Sequence, residues 1–583
     1  MSIFKRFFYE SRSQWGLLIV LVLILIGAAL FEMTAPRLLG LFMDAIVQGL
    51  QEGIHISTII DQSDTLILGL IALYGAHAIC TYIGEYIMAD VADTMVFNLR
   101  QRVSTHLYRL PMSYVNRQNR GDLLSRLTSD ADAIAETLRE GIPGLISSFI
   151  GIIGALTMMV LISPQLAAII VGIIVVGIIS LALTSRIART IYLRNQEALG
   201  AFNGGIEEVI SGKQIIEAFS LESVMTKQLT GLNETLFTNE RKAGFMGQII
   251  MPLVSFMNQI GYVLVAIQGG LLVLRGQISL GDIQAFFLYV TQVSDPISRS
   301  SYILTKFQET QAALGRIYEI LDTKEEDDGG THEWSEAAKG AISFEDVSFG
   351  YTPDRLLLDK VNFTIPSGSL VAIVGPTGAG KTTLVNLIMR FYEISHGKIT
   401  IDGVDIRSLS RKTLHQTVGM VLQDTWIFTG TIADNIAYGK PEASREEIVA
   451  VAKLAMADHF IRTLPQGYDT VLKNGADDLS QGQRQLLTIA RAFLMNPSIL
   501  ILDEATASVD TRTEVEVQKA MSSLLKGRTG IVIAHRLSTI RDADFLLVVN
   551  DGQIVEQGTH DELLSKDGYY RELYNNYAKG MSV

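Results

Sequence analysis

Residues 370–391 read LVAIVGPTGAGKTTLVNLIMRF, and this stretch predicts a strand, a tight loop and a helix in that order. The first five residues, Leu370–Val374, are apolar and mostly β-branched, as in a strand that is buried on both faces. A helical pattern follows from Leu384 to Phe391. This order of elements is typical of an α/β domain with a parallel sheet.

The segment between strand and helix matches the pattern GxxxxGK[ST] in the strand–loop–helix context that the motif requires. In such a loop, backbone N–H groups wrap a phosphate chain at the helix N-terminus. Lys381 is long enough to reach the β- and γ-phosphates of a nucleotide, and the Thr382 hydroxyl is placed to ligate magnesium. We therefore expect the nucleotide to be bound by Gly375, Pro376, Thr377, Gly378, Ala379, Gly380, Lys381, Thr382 and Thr383.

A second apolar strand, residues 498–502, ends in two acidic residues. Asp503 at the carboxyl end of the strand is placed to hold the shell of a magnesium ion. Glu504, one residue further, is placed to polarise an attacking water molecule. Together with the phosphate loop, these carboxylates predict a site that hydrolyses a nucleoside triphosphate with Mg²⁺.

Upstream of this domain the sequence is strongly apolar. Residues 141–185 contain no charged side chain, and as one helix they would extend about 67 Å, twice the bilayer core of about 30 Å. Pro164 and its polar neighbours predict a turn between two spans. Six membrane-spanning helices are expected in all, and the sixth is weak because Asp295 and Arg299 interrupt it. Their expected limits are about 16–43, 59–89, 142–162, 166–185, 249–274 and 283–304.

The distribution of basic residues predicts the orientation of these spans. The connections 91–140 and 186–248 carry seven Lys or Arg residues each, whereas residues 49–64 and the turn at Ser163 carry none. Basic connections face the cytosol, so the N-terminus and both long connections are expected there. These connections are too long and polar for simple loops, and we interpret them as cytosolic helical extensions. An ATP site on the same side as the N-terminus requires an even number of crossings.

Composition excludes several other classes of protein. The 583 residues carry 48 Lys plus Arg against 61 Asp plus Glu, a net charge of 48 − 61 = −13, which disfavours nucleic acid as a partner. The single cysteine forms no internal disulfide.

An acidic, glycine-ended segment at 324–330 predicts a linker. The expected domains are a transmembrane domain at 1–321, a linker at 322–341 and an α/β ATPase domain at 342–583.

Residues 342–577 resemble the nucleotide-binding domain of the ABC transporter family, and the preceding spans resemble the membrane half of a multidrug or lipid ABC exporter. The discriminating segment is Leu479–Gln485, LSQGQRQ, which is similar to the family's signature sequence. The resemblance implies an all-α six-helix transmembrane domain with cytosolic extensions, followed by an α/β phosphate-loop ATPase domain. It also implies that two such domains bind ATP between them, so the chain would be a half-transporter.

The resemblance assigns further roles by position in the motifs. Tyr351 matches the aromatic residue that stacks on adenine, and Gln423 matches a glutamine that contacts magnesium. Asp510 matches a loop that crosses between the domains, and His535 matches a histidine at the γ-phosphate. The signature residues expected to face the partner's nucleotide are Ser480, Gln481, Gly482 and Gln483. Segments near residues 114–120 and 218–222 are similar in position to the family's coupling helices.

Two departures from the family pattern bear on the partner. Gln481 stands where glycine is usual and lacks the freedom of glycine at positive φ. Residues 472–475, LKNG, stand where many exporters have Gly-Glu. Both changes resemble those of heterodimeric exporters with one weak ATP site, so a different half-transporter is the expected partner, with a homodimer as the alternative.

The expected substrate is a small amphipathic drug or lipid, exported across the cell membrane of what we take to be a bacterium. Glu32, Glu85, Gln259, Gln268 and Asp295 lie at or near membrane depth, where charge is costly and tends to face a cavity. Alternatives are a homodimeric lipid or peptide exporter, and an ATP-gated channel or regulatory subunit on the same scaffold. A channel would not need Glu504, which this sequence keeps.

Overall fold

The computed structural model describes residues 3–334, 338–352, 354–422, 425–473, 475–476, 478–503, 511–534 and 537–578. Four predicted site residues, Gln423, Glu504, Asp510 and His535, lie outside the described residues.

The chain divides into two compact units. The first comprises the described parts of Met1–Tyr108 and Arg120–Thr323, and the second those of Arg109–Asn119 and Lys324–Val583.

The membrane unit, as we call the first unit, is built from helices. The helices up to residue 322 are α1 Ile3–Glu10, α2 Trp15–Gln51, α3 Ile56–Gln62, α4 Asp64–Leu107, α5 Met112–Arg117, α6 Arg120–Leu127, α7 Ser129–Glu136, α8 Ile142–Ile162, α9 Pro164–Ser211, α10 Lys213–Ala218, α11 Glu222–Leu274 and α12 Leu280–Asp322. All of them belong to the membrane unit except α5, which belongs to the second unit. A π-helical turn at Thr137–Gly141 joins α7 to α8.

Five helical stretches among the described residues are long and apolar enough to cross a membrane: Arg12–Gln51, Asp64–Leu107, Arg120–Ile162, Pro164–Ser211 and Glu222–Leu274. The longest has 53 residues and extends about 80 Å, well beyond a bilayer core of about 30 Å. The sixth predicted span lies within α12, which is not among the five. The second predicted span was expected to begin at residue 59, but the helix is interrupted at Ser63 and α4 begins at Asp64.

The turn between α8 and α9 occupies a single residue. Ser163 has an extended backbone, and its Oγ accepts a hydrogen bond from the backbone N of Leu166 at 3.5 Å. Pro164 is the first residue of α9, where its missing N–H and fixed φ are favourable. An N-cap followed by proline therefore starts the second arm of the hairpin at once.

The start of α12 is held against α2. Ser279 Oγ accepts from the backbone N of Asp282 at 2.9 Å, and Asp282 Oδ2 accepts from the backbone N of Ser279 at 3.0 Å, which closes a capping box. Asp282 also forms an ion pair with Arg37 of α2. Gly281 lies so close to the backbone of Gly40 that a side chain there would overlap it. These contacts explain why α12 begins where it does.

A polar cluster ties α1 to α4 and to the end of α12. Arg6 donates two hydrogen bonds of 2.7 Å to the carboxylate of Asp322, and its guanidinium lies 4.2 Å from the ring centre of Tyr318. Glu10 accepts hydrogen bonds from Arg102 at 2.8 Å and from the Tyr318 hydroxyl at 2.7 Å. We call these five residues the Arg6 cluster.

The ATPase unit, as we call the second unit, combines three sheets with helices. Its strands are β1 Ile342–Phe349, β2 Leu358–Ile365, β3 Leu370–Val374, β4 His396–Ile401, β5 Val404–Asp405, β6 Val418–Val421, β7 Gly430–Thr431, β8 Val471–Leu472, β9 Ile499–Asp503, β10 Thr529–Ile533, β11 Phe545–Asn550 and β12 Gln553–Gly558. Its further helices are α13 Lys381–Ile388, α14 Arg411–Thr417, α15 Ile432–Ala437, α16 Arg445–Leu454, α17 Asp458–Thr463, α18 Gln481–Met495, α19 Thr511–Leu525, α20 Leu537–Asp542, α21 His560–Ser565 and α22 Tyr569–Ala578.

The main sheet has the strand order β12-β11-β3-β10-β9-β6, in which all neighbours are parallel except β12 and β11. A second, antiparallel sheet has the order β2-β1-β4-β5. Successive side chains of a strand point to opposite faces, and β9 shows this directly. Ile499 and Ile501 pack with the second sheet and α13, whereas Leu500 and Leu502 pack with α18 and α19.

Helix α5 belongs to the ATPase unit although its neighbours in sequence belong to the membrane unit. Asn116 Nδ2 donates to the hydroxyl of Tyr392 at 2.9 Å, and Arg117 Nη2 donates to the backbone O of Tyr351 at 2.7 Å. The described part of the predicted linker also pairs with this unit, through a β-bridge between Gly329 and Ser410. The all-α membrane part followed by an α/β ATPase part confirms the predicted fold class.

Candidate functional site

The loop between β3 and α13 has the backbone that the sequence predicts for phosphate binding. Gly378 has φ +84° and Gly380 has φ +105°, values that residues other than glycine rarely adopt. Gly380 is the N-cap of α13, so the first N–H groups of that helix point into the loop. Thr377 and Gly378 are exposed at its tip, and open space surrounds the Cα of Gly378. The loop is therefore accessible to a ligand.

Lys381 lies inside this loop. Its Nζ donates to the backbone O of Gly375 at 2.6 Å and to that of Pro376 at 3.0 Å, and the side chain is buried. Burial lowers the pKa of the Lys381 ammonium, and the negative charge of Asp503 partly opposes this shift. A buried cation held by carbonyl dipoles at a helix N-terminus is well suited to an anionic ligand.

The two threonines after Lys381 face different surroundings. Thr382 is exposed, whereas Thr383 is buried and its Oγ1 lies 3.0 Å from the hydroxyl of Tyr351. Tyr351 makes edge-on ring contacts with Phe349 and Tyr392, each at 5.0 Å between ring centres. Tyr351 is thus fixed beside the phosphate loop while 40% of its surface remains exposed. Stacking of Tyr351 on adenine stays a prediction.

The order of the strands brings Asp503 to the same edge of the sheet as the phosphate loop. It ends β9, pairs in register with Ile533 of β10, and β10 in turn lies beside β3. The carboxyl ends of these parallel strands meet at one edge of the sheet, which is where such folds bind ligands. The carboxylate of Asp503 and the exposed hydroxyl of Thr382 are oxygen ligands of the kind that Mg²⁺ prefers, and the loop N–H groups are donors suited to nucleotide phosphates.

The signature segment begins α18 with a capping box. Ser480 Oγ accepts from the backbone N of Gln483 at 3.2 Å, and Gln483 Oε1 accepts from the backbone N of Ser480 at 3.0 Å. Gln481 is the first helical residue and does not have a positive φ. The expectation that glutamine lacks a freedom needed here is therefore wrong, because a helical backbone accommodates any ordinary side chain.

The phosphate loop and the signature segment belong to opposite faces of the main sheet. Helix α13 packs on the face that carries Ile499 and Ile501, and α18 packs on the face that carries Leu500 and Leu502. Among the described residues, no hydrogen bond or ion pair joins residues 375–383 to residues 479–483.

Comparisons with known proteins identify both parts of the chain. The family described as "ABC transporter transmembrane region" matches residues 18–297, and the family described as "ABC transporter" matches residues 358–507. The chain belongs to the ABC transporter family. It is a half-transporter of the exporter type, a multi-pass membrane protein that binds ATP and couples its hydrolysis to transport.

Curated ABC transporters are similar along most of the chain. A fatty acid ABC transporter ATP-binding/permease protein of Mycobacterium bovis is 43% identical over 87% of this chain and 80% of its own length. An ABC transporter ATP-binding protein of Bacillus subtilis, YfiC, is 39% identical over 98% of this chain and 94% of its own length. An ATP-dependent lipid A-core flippase of Desulfotalea psychrophila is 38% identical over 87% of this chain and 88% of its own length.

A cavity of about 590 Å³ lies within the membrane unit of this ABC transporter. It brings together Glu32 and Asp295, which the sequence indicated as polar groups near membrane depth, but not Glu85, Gln259 or Gln268. It also includes Glu136, Glu140 and Lys306, which sequence reasoning missed because they lie outside the predicted spans. Helical spacing is the one signal that could have linked Glu136 to Glu140, since residues i and i+4 share a helix face.

Proposed function

We propose that this chain is one half of a dimeric ABC exporter that moves amphipathic drugs or lipids across the cell membrane by alternating access. ABC exporters act as dimers, and binding of ATP between two ATPase units would close them and reorient the membrane part. The observation that supports this proposal best is the placement of the phosphate loop and the signature on opposite faces of one sheet. A complete site then needs the signature of a second chain.

The proposed roles follow the geometry. Lys381 would leave the carbonyl groups of its own loop for the β- and γ-phosphates, and Tyr351 would stack on adenine. Mg²⁺, when bound, would neutralise phosphate charge, and Thr382 and Asp503 are the described residues that would hold it. Gln423, Glu504, Asp510 and His535, outside the described residues, keep their roles as magnesium contact, base, interface residue and γ-phosphate contact.

Ser480 would present the positive end of α18 to the partner's γ-phosphate. Its capping box leaves the first turn of the helix rigid, so that little ordering is required when the two ATPase units meet. Gly482 is buried behind this turn and Gln481 is half-buried, so the surface offered to the partner is formed mainly by Ser480 and the backbone.

The orientation that we propose places the N-terminus, the helical extensions and the ATPase unit in the cytosol. Seven basic residues in each long connection, against none in residues 49–64, support this placement. The membrane stretches of up to 53 residues leave ample length for extensions beyond the bilayer. Antibody labelling of tags at residues 53 and 583 in intact and permeabilised cells tests it, with only the first tag labelled in intact cells.

The partner that we propose is a different half-transporter. The segment 472–475 supports it, whereas Gln481 no longer does, because its backbone is an ordinary helical one. That same observation favours a homodimer as the second candidate. Purification of the tagged chain from native membranes distinguishes the two: a second half-transporter in equal amount supports the heterodimer, and the chain alone as a dimer supports the homodimer.

A complementation experiment tests the shared site. Lys381→Ala and Ser480→Arg should each abolish hydrolysis in a homodimer. Co-expressed in equal amounts, they give mixed dimers in half of the cases, each with one intact site, so about a quarter of wild-type hydrolysis should return. In a heterodimer, Lys381→Ala in this chain and an arginine substitution in the partner's signature affect the same site, so the double variant should hydrolyse ATP no more slowly than the slower single variant. Absence of recovery in a homodimer, or additive losses in a heterodimer, would contradict a site shared between chains.

The substrate class rests on the relatives and on the apolar helices. The names of two relatives refer to fatty acids and to lipid A-core, both of which are amphipathic. This proposal is tested by measuring ATP-dependent movement of fluorescent lipids and drugs in lipid vesicles that contain the purified protein. ATP hydrolysis without movement of any amphipathic solute, with either partner arrangement, would contradict it.

A further inference from the structure

Residues 324–334, which we call the linker segment, follow α12 in the chain and lie along the ATPase unit. Two of their backbone N–H groups donate to the loop that precedes α14. Gly330 N donates to Arg407 O at 3.1 Å, and His332 N donates to Ser408 O at 3.1 Å. The linker segment is therefore a docked part of the ATPase unit.

Arg411, the first residue of α14, holds the linker segment from one side. Its backbone N donates to Asp328 O at 3.0 Å, and its Nε donates to Asp327 O at 2.9 Å. Its Nη2 also lies 3.1 Å from Glu326 Oε1, and only 11% of the Arg411 side chain is exposed. A charge with so little access to water needs partners of this kind. One arginine thus binds three consecutive residues of the linker segment.

The same side chain reaches the far end of the helix that follows the phosphate loop. Helix α13 begins at Lys381 and ends at Ile388, and Arg390 lies two residues further. Arg411 Nη1 donates to the backbone O of Arg390. The carboxylate of Glu393 joins the two arginines, because its Oε1 lies 2.8 Å from Arg390 Nε and 3.0 Å from Arg411 Nη2. The linker segment and the end of α13 therefore meet at one guanidinium.

Further contacts fix the end of α13 in its place. Arg390 is only 4% exposed, and its Nη1 donates to Ile406 O and to Leu409 O at 3.4 Å each. His415 Nε2 of α14 lies 3.0 Å from Met389 O. Two side chains of α14 thus contact carbonyl groups that the end of a helix leaves without partners inside the helix.

The two ends of α13 have different surroundings. At its start lie Lys381 and the first N–H groups, which are expected to contact the nucleotide phosphates. At its end lie the carbonyl groups that α14 contacts. An α-helix of eight residues is about 12 Å long, and its hydrogen-bonded turns move together. A ligand that orders the start of α13 should therefore also fix the acceptors at its end.

We propose that Arg411 is a positioning residue that couples nucleotide binding at the phosphate loop to docking of the linker segment, and so to the chain that follows α12. ATP orders α13 and thereby strengthens the contacts of Arg411 with the linker segment. Coupling between two sites is reciprocal, so the docked linker segment strengthens ATP binding by a comparable factor. The proposal depends neither on the exported substrate nor on the identity of the partner.

Hydrogen exchange measures docking of the linker segment directly. The full-length dimer in lipid nanodiscs is exchanged with and without Mg²⁺ and adenylyl imidodiphosphate, an ATP analogue that is not hydrolysed. Peptides that cover residues 324–334 are followed by mass spectrometry. The amides of Gly330 and His332 should exchange about fivefold more slowly with the analogue. Unchanged or faster exchange in the wild-type protein would overturn the proposal, and this comparison needs no variant to fold.

Substitutions of Arg411 test its part in the coupling. Arg411→Gln should speed exchange of the linker segment about fivefold, abolish the response to the analogue and raise the Kd of ATP about fivefold. Arg411→Lys should behave in the same way, since one ammonium cannot replace a planar fork that contacts the linker segment and Arg390 together. Arg407→Gln is the matched control, because among the described residues its side chain donates hydrogen bonds to Asp405 and to Gly397 O alone.

The variants separate coupling from a purely structural contribution. A side chain that only held the linker segment in place would alter its exchange without altering the response to nucleotide. A fivefold slowing by the analogue that persists in folded Arg411→Gln would therefore overturn the assignment to Arg411. An unchanged Kd of ATP in the same variant would overturn the reciprocal coupling, and wild-type behaviour of Arg411→Lys would overturn the bridging role of the guanidinium.

Discussion

The side-chain nitrogen of Lys381 lies 2.6 Å from the backbone oxygen of Gly375, six residues earlier in the same loop. The lysine thus bridges the two ends of the phosphate loop and holds it in shape. The same ammonium is the group expected to meet the nucleotide. Loop geometry and nucleotide binding therefore depend on one buried charge.

Replacing Lys381 with alanine should weaken ATP binding about 100-fold, because charge-assisted hydrogen bonds to two phosphates are worth about 3 kcal/mol together. Equilibrium binding of a fluorescent ATP analogue measures the change. Lys398→Ala is the control, since Lys398 forms a half-exposed ion pair with Glu345 in the same unit. Unchanged affinity in a folded Lys381→Ala variant would contradict the role of the loop.

Replacing Glu504 with glutamine should reduce hydrolysis by about 10²- to 10³-fold while ATP binding persists, because a general base is removed and the side-chain size is kept. Phosphate release and retention of labelled ATP are measured on the same preparation. The exposed Glu572 of α22 provides the control substitution, Glu572→Gln. Normal turnover of Glu504→Gln with its partner would show that another group acts as the base.

The ring of Tyr351 and its hydroxyl should contribute separately. Tyr351→Ala should raise the Kd of ATP about tenfold, the loss expected for one aromatic stacking contact. Tyr351→Phe removes only the 3.0 Å contact with Thr383 and should change the Kd by less than about twofold. Calorimetric titration with ATP checks both variants, and equal losses would exclude stacking as the main contribution.

Substituting Gln481 by glycine should leave ATP hydrolysis within about twofold of wild type, since the backbone here is already helical. Ser480→Ala is the matched comparison, because it removes the N-cap of α18 and should destabilise the ATPase unit by about 1 kcal/mol. Hydrolysis and thermal unfolding are measured for both. A large gain in hydrolysis for Gln481→Gly would restore the interpretation of a weakened signature.

The contribution of the Arg6 cluster should depend on pH. The hydrogen bond from Arg6 lowers the pKa of Asp322, so this carboxylate stabilises the fold above its unfolded pKa of about 4 and loses that contribution as pH falls further. Arg6→Ala should lower the melting temperature by about 2 °C at pH 7 and by less at about pH 3. Lys5→Ala serves as the control, and a difference that grows on acidification would contradict this account.

Some parts of this molecule follow from the sequence with little ambiguity. The motif at 375–383 requires a strand before it and a helix after it, and β3 and α13 are present at those positions. Ser163 and Pro164 together favour a break in the helix, since proline disfavours a helical backbone at the residue before it, and α8 ends at Ile162 while α9 begins at Pro164. These features depend on local stereochemistry, which a single sequence determines well.

Other parts depend on contacts between distant segments. Glu136, Glu140 and Lys306 join Glu32 and Asp295 in one cavity only through the packing of α2, α8 and α12, which no local pattern specifies. The error at Gln481 arose because a family preference for glycine was taken to imply a positive φ. Helix α5 likewise belongs to the ATPase unit through the hydrogen bonds of Asn116 and Arg117 with distant residues of that unit.

The unbroken helix Glu222–Leu274 has an evolutionary consequence. Inserting one residue near its middle would rotate everything beyond that point by about 100° and shift it by about 1.5 Å, turning lipid-facing side chains toward protein. Seven residues, about two full turns, restore the facing almost completely. Lineages that lengthen or shorten this segment should therefore do so in blocks of about seven residues, with compensating changes in α9, its packing neighbour.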